Sequence, residues 1–119
     1  MNDQSAGNLL DGKVIDYTYD GGWRFRVTFS DGRVAYEFLG EDGADVSNAN
    51  TDIPYESRRL GDGWVHVAWH EENIGDFVSL VIDTNGMAIY SAALLGYPAD
   101  DRAMHFEHGV IHSINTIAS

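Results

Sequence analysis

The chain has 119 residues, 44% hydrophobic and 12% aromatic, which suits one domain with a sizeable core and excludes a disordered chain. Its 19 Asp and Glu against 7 Lys and Arg give a net charge of −12, which excludes nucleic acid as a partner and disfavours an anionic membrane surface. With no cysteine, disulfides, thiolate metal sites and cysteine nucleophiles are excluded as well.

Residues 1–11 form a polar N-terminal segment with no apolar signal core, and Leu9 and Leu10 are its only sustained apolar pair. A frayed or capping end is expected, with one helical turn able to close a barrel, in a cytoplasmic chain. Residues 12–119 read as a single β domain. Lys13 to Tyr19 is a strand with Ile15, Tyr17 and Tyr19 on one face, and Asp20-Gly21-Gly22 is a turn. Trp23 to Phe29 alternates, with Trp23, Phe25, Val27 and Phe29 inward and Arg24, Arg26 and Thr28 outward. Asp31-Gly32 turns into Arg33 to Leu39, whose inner row is Val34, Tyr36 and Phe38.

From Gly40 to Pro54 the alternation lapses into a polar, acidic loop, either a lid over a barrel mouth or a solvated connection. Tyr55 to Leu60, Trp64 to Glu71, Asp76 to Asp83 and Met87 to Leu95 follow as strands. Asn85-Gly86 is read as a type I′ turn. Arg102 to Glu107 and Val110 to Ile114 close the chain as a last hairpin around His108-Gly109. Nine short strands with frequent turn signals and no helix describe an antiparallel barrel or sandwich. Inner rows crowded with Trp, Phe and Tyr favour the barrel, around a modest cavity.

Two stretches carry chemistry. Tyr17 and Tyr19, two apart on a strand, aim both phenols into one space. Val65, Val67, Trp69 and Glu71 form an inner row that ends in a carboxylate. Tyr17-Thr18-Tyr19, then an acidic residue, Gly22 and Trp23, and later the Val-x-Trp-x-Glu strand and Val78-Ser79-Leu80, resemble the bacterial phenolic acid decarboxylases and the MoaF-like proteins related to them. The resemblance implies an all-β fold, a small antiparallel lipocalin-like barrel of the calycin group with about eight or nine strands. It further implies a cofactor-free enzyme of lyase type acting by proton transfer on an aromatic or unsaturated acid. In that reading Tyr17 and Tyr19 hold the substrate and Glu71 handles the proton, its pKa raised by an apolar wall of Trp23, Phe25 and Trp69.

Tyr36, Trp69, Phe25, Trp23 and His105 are the expected ligand-lining residues. The decarboxylases carry an arginine well upstream of the Trp-x-Glu strand, where this chain has the loop around Asn48. Arg58 or Arg59 could substitute, because strand neighbours face opposite ways, and Arg58 is the candidate taken. The alternatives are a non-catalytic calycin that binds a small hydrophobic ligand, and a barrel that serves a protein partner, with a homodimer open to it. No cofactor is expected. No metal site is expected either, because His66 and His70 lie about 13 Å apart at strand rise, too far for one ion.

Overall fold

The computed structural model describes residues 6–40, 48–72 and 74–117. Its strands are β1 (Ala6–Gly7), β2 (Lys13–Tyr19), β3 (Arg24–Ser30), β4 (Arg33–Gly40), β5 (Asn48–Gly61), β6 (Trp64–Glu71), β7 (Asp76–Asp83), β8 (Ala88–Leu95) and β9 (Ala103–Thr116). Every pairing is antiparallel. β2 to β9 form a meander whose ends meet where β9 pairs with β2, and the pairing of β5 with β6 completes a closed lipocalin-like barrel of eight strands. Closure gives each of the strands β2 to β9 a partner on both sides, and the two long strands β5 and β9 divide theirs along their length.

Two strands of 14 residues make closure possible, and both serve two neighbours. β5 pairs with β4 up to Pro54 and with β6 from Tyr55 onward. Pro54, which has no N–H to give a ladder, sits where the partner changes. The acidic loop is therefore shorter than expected: residues 48–54 belong to β5, while residues 41–47 and the lid expected there lie outside the described residues. β9 pairs with β8 through Val110 and with β2 from Gly109. The expected hairpin at His108-Gly109 is thus one continuous strand. Gly109 is needed for close approach, since a Cβ there would lie 2.7 Å from the Thr18 carbonyl oxygen.

The turns divide in the same way. Asp31 and Gly32 both have positive φ (53° and 72°), as a type I′ hairpin requires. In the Asn85-Gly86 connection the left-handed residue is Met87 (φ 55°), the Asp83 carboxylate accepts from the Asn85 and Gly86 N–H groups, and β8 begins at Ala88.

The barrel has a packed end and an accessible end. At the packed end Ile15, Phe29, Val34, Ile82 and Ile89 are at most 1% exposed, each such burial contributing about 1.5–3 kcal/mol. The N-terminal segment seals this end. β1 extends the sheet beside β5, Leu10 enters the core, and Asp11 accepts from the Gly32 N–H and the Tyr55 hydroxyl. Residues 8–12 make turns there, with the Asn8 amide donating to the Tyr55 carbonyl at 2.8 Å. At the other end the inward residues Tyr19, Phe25, Tyr36, Phe38 and Val78 are only partly buried, so the interior opens among them. Outside the barrel, Asp16 is held by Arg24 through two hydrogen bonds of 2.8 and 2.9 Å, with Arg26 at 3.7 Å.

Trp23 corrects the expectation for β3: it precedes the strand and is 56% exposed at the rim, resting on Phe38 with ring centroids 5.2 Å apart. The turn of Asp20 to Gly22 carries it past the barrel wall, with Gly22 at φ 102°. Phe29→Ala is therefore expected to destabilise the fold by about 3–5 kcal/mol, and Trp23→Ala by about 1 kcal/mol or less. Urea midpoints of the two variants check this, and equal losses would contradict the assignment of inner row and rim.

Candidate functional site

β6 delivers the site's carboxylate. Alternation turns Val67, Trp69 and Glu71 inward, and Glu71, the last residue of the strand, is only 2% exposed. A carboxylate this deep is stable only if donors meet it. The Tyr36 hydroxyl donates to Oε1 at 2.7 Å and the Trp69 indole N–H to Oε2 at 2.7 Å. Tyr36 arrives from β4 and Trp69 from two residues upstream, so the pocket for Glu71 is built by two separate strands.

β2 delivers the two phenols. Tyr17 and Tyr19 share an edge-to-face contact with centroids 5.2 Å apart. Ser91 of β8 stands beside Tyr19. Burial pushes the Tyr17 phenol well above its ordinary range, and the neighbouring phenols of Tyr19 and then Tyr36 push it the same way. Tyr19 is raised chiefly by burial too, with the Glu107 carboxylate adding to the effect and hydrogen bonds from Ser91 and Tyr17 opposing it. A row Ser91, Tyr19, Tyr17, Tyr36, Glu71, Trp69 thus crosses the accessible end of the barrel.

Phe25 is the hydrophobic hub of this row. Its ring lies 5.9 Å from Tyr17, 5.8 Å from Tyr19, 6.4 Å from Tyr36 and 5.3 Å from Phe38. The inward residues of β8, Ser91 and Ala93, are small and buried.

The structure brings together Tyr17, Tyr19, Tyr36, Phe25, Trp69 and Glu71. It holds three expected lining residues apart from them. Trp23 stands at the rim. His105 pairs with Ala93 and so belongs to the inner face, but it is exposed at the mouth. Arg58 is on the outer face, because β5 turns Ile53, Tyr55 and Ser57 inward and the residues between them outward. It lines a shallow external groove of about 260 Å³ with Gly7, Glu56, Ser57, His66 and Ala68. Arg59 has inward parity but faces Val65 at the far, packed end. Arg58 and Arg59 thus both stand away from the phenols and Glu71.

Ser91 and Glu107 were missed by sequence reasoning. Their signal was present in the register Ser91 to Glu107, which puts both side chains on the inner face of two strands that read as apolar and as a hairpin. Among the described residues no three His, Asp or Glu side chains are grouped to hold a metal ion, and no helix is long and apolar enough to cross a membrane.

The family model for MoaF-like proteins matches residues 11–112. The chain belongs to the MoaF-like family. This MoaF-like chain also shares its fold with a solved protein from Burkholderia vietnamiensis described as "a putative beta-lactamase", at 14% identity and a TM-score of 0.71, covering 91% of this chain and 95% of that one. At that identity the likeness shows the fold alone. No curated protein matches the sequence.

The Tyr17 phenol also gives the site a pH signature. An unfolded tyrosine ionises near pH 10, whereas Tyr17 in the folded chain ionises only well above it. Its contribution to stability is therefore complete below about pH 10 and is lost as the pH rises beyond that. Tyr17→Phe is expected to cost about 1 kcal/mol at pH 7, and to lose stability less steeply than the parent above pH ~10. Denaturant unfolding across that range measures both slopes, and identical slopes would place Tyr17 in contact with water.

Proposed function

We propose that this MoaF-like barrel binds a small aromatic or unsaturated molecule in its accessible half, and that Glu71, with Tyr36 on its carboxylate, moves a proton to or from that molecule. The observation that carries this reading is a carboxylate only 2% exposed, kept at some cost to stability at the one end of the barrel whose aromatic lining is partly open. Packing alone would be served better by a leucine there. Tyr17 and Tyr19 supply hydrogen bonds for a polar head group, and Phe25 and Trp69 supply faces for a flat body.

Lyase-type chemistry of the kind the resemblance implies needs a carboxyl group to protonate an alkene carbon, phenols to hold the substrate and a cation for its carboxylate. Glu71 and the tyrosine pair meet the first two needs. No arginine or lysine inside the open half meets the third, so proton transfer to an unsaturated ligand is the part of that chemistry this site supports.

The test uses 4-hydroxycinnamic acids, their methyl esters and the matching alcohols. Binding is followed by fluorescence, and reaction by loss of conjugated absorbance and by deuterium uptake from D₂O. At least one neutral member is expected to bind and to exchange. Glu71→Gln should lower the exchange rate by about 100-fold or more while binding changes little. Tyr19→Phe should weaken binding by about fivefold, the loss of one hydrogen bond. Binding by every member without exchange would leave a binding barrel and remove the proton transfer. Binding by none would remove both.

A further inference from the structure

Resting on that reading of the open half as a small-molecule site, we propose that its ligand is a cation: an ammonium group on a flat apolar body. The distribution of charge in the barrel carries this. All 7 Lys and Arg of the sequence, Lys13, Arg24, Arg26, Arg33, Arg58, Arg59 and Arg102, lie in described residues, and none reaches the interior of the open half. Arg24 and Arg26 are on the outer face with Asp16, and Arg33 faces Asp52 outside. Arg58 lines the external groove. Lys13 and Arg59 are at the packed end, where Lys13 reaches Thr116 and Arg59 pairs with Val65. Arg102 is exposed in the rim connection and donates to the Ala99 carbonyl.

The interior charges of the open half are carboxylates instead. Glu71 stands at the Tyr36 end of the phenol row. Glu107 faces inward at the Tyr19 end, close enough for its charge to raise the Tyr19 phenol. Between them lie the faces of Tyr17, Tyr19, Tyr36 and Phe25. A carboxylate ligand entering here would be desolvated against two like charges with no guanidinium to answer it. An ammonium meets the opposite situation. Each carboxylate favours it, the ring faces add cation–π attraction, and the phenol oxygens accept its N–H bonds.

The rim repeats the pattern. Asp20, Glu72, Asp100 and Asp101 are exposed in the connections around the open end. With Arg102 as the cation among these rim carboxylates, a predominantly acidic mouth on a chain of net charge −12 raises the local concentration of cations and repels anions. Field and pocket therefore select the same ligand class.

The experiment compares three probes of one shape, 2-phenylethylamine, 2-phenylethanol and phenylacetate, titrated against the full chain at 20 and 200 mM salt. The amine is expected to bind at least tenfold more tightly than the alcohol, with phenylacetate weakest. Amine affinity should fall severalfold at the higher salt while alcohol affinity stays constant. Glu107→Gln, a change at a half-buried position that spares the core, should reduce amine affinity about tenfold and leave the alcohol unchanged. Equal binding of amine and alcohol, or preference for phenylacetate, overturns the cationic ligand while leaving the small-molecule site standing. Failure of all three probes to bind overturns the site as well.

Discussion

A carboxylate inside an eight-stranded barrel must be matched by donors, and the way Glu71 is matched explains much of the rest. Of its two hydrogen bonds of 2.7 Å, the one from Tyr36 ties β4 to β6 although β5 lies between them in the sheet, and the one from Trp69 stays within β6. Those bonds hold only if Trp69 and Tyr36 keep their inward rotamers, and this in turn requires the aromatic packing about Phe25. The packed end, sealed by Leu10 and the Asp11 to Tyr55 hydrogen bond, gives the strands the rigidity that such placement needs. A polar group kept in this way is a cost that a purely structural barrel would not bear.

The same alternation that turns Glu71 inward turns Arg24, Arg26 and Arg58 outward. Arg24 and Arg26 bracket Phe25 in sequence and are pinned on the outer face by Asp16, whose carboxyl is first raised by burial and then brought below its ordinary range by Arg24, Arg26 and His112. Arg58 is likewise fixed outside by the parity of Ser57. Because a strand offers only two directions, one shift of register would exchange every member of these sets. The separation of cations outside from carboxylates and phenols inside is thus a property of the register, and chemistry at the open end inherits it.

Much of this was legible in the residues. Period-two alternation placed Tyr17, Tyr19, Phe25, Tyr36, Trp69 and Glu71 on inner rows, and turn residues at Asp31-Gly32 and Gly61 to Gly63 marked the hairpins. What was hidden depends on neighbours distant in sequence. Gly109 looks like a turn residue from its own segment, yet its role is set by the Thr18 carbonyl across the sheet. The polar run from Asn48 to Pro54 has no strand signature of its own and becomes a strand because β4 offers it a ladder. Trp23 continues the alternation of β3 in sequence, but the turn before it lifts the indole to the rim. Arg58 and Arg59 were a choice between two parities, which no local pattern decides. The inner-face position of Glu107 was hidden because its segment was read as an independent hairpin arm.

The three tryptophans report on three places: Trp69 inside beside Glu71, Trp23 at the rim on Phe38, and Trp64 on the outer face stacked with Tyr90. Their indole N–H signals in a ¹H–¹⁵N spectrum therefore show where a ligand goes. On titration with 2-phenylethylamine the Trp69 signal is expected to move in a saturable way, because its hydrogen bond to Glu71 is perturbed, while Trp64 stays still. Movement of Trp64 with Trp69 unchanged would place binding on the outside of the barrel and contradict the account of its interior.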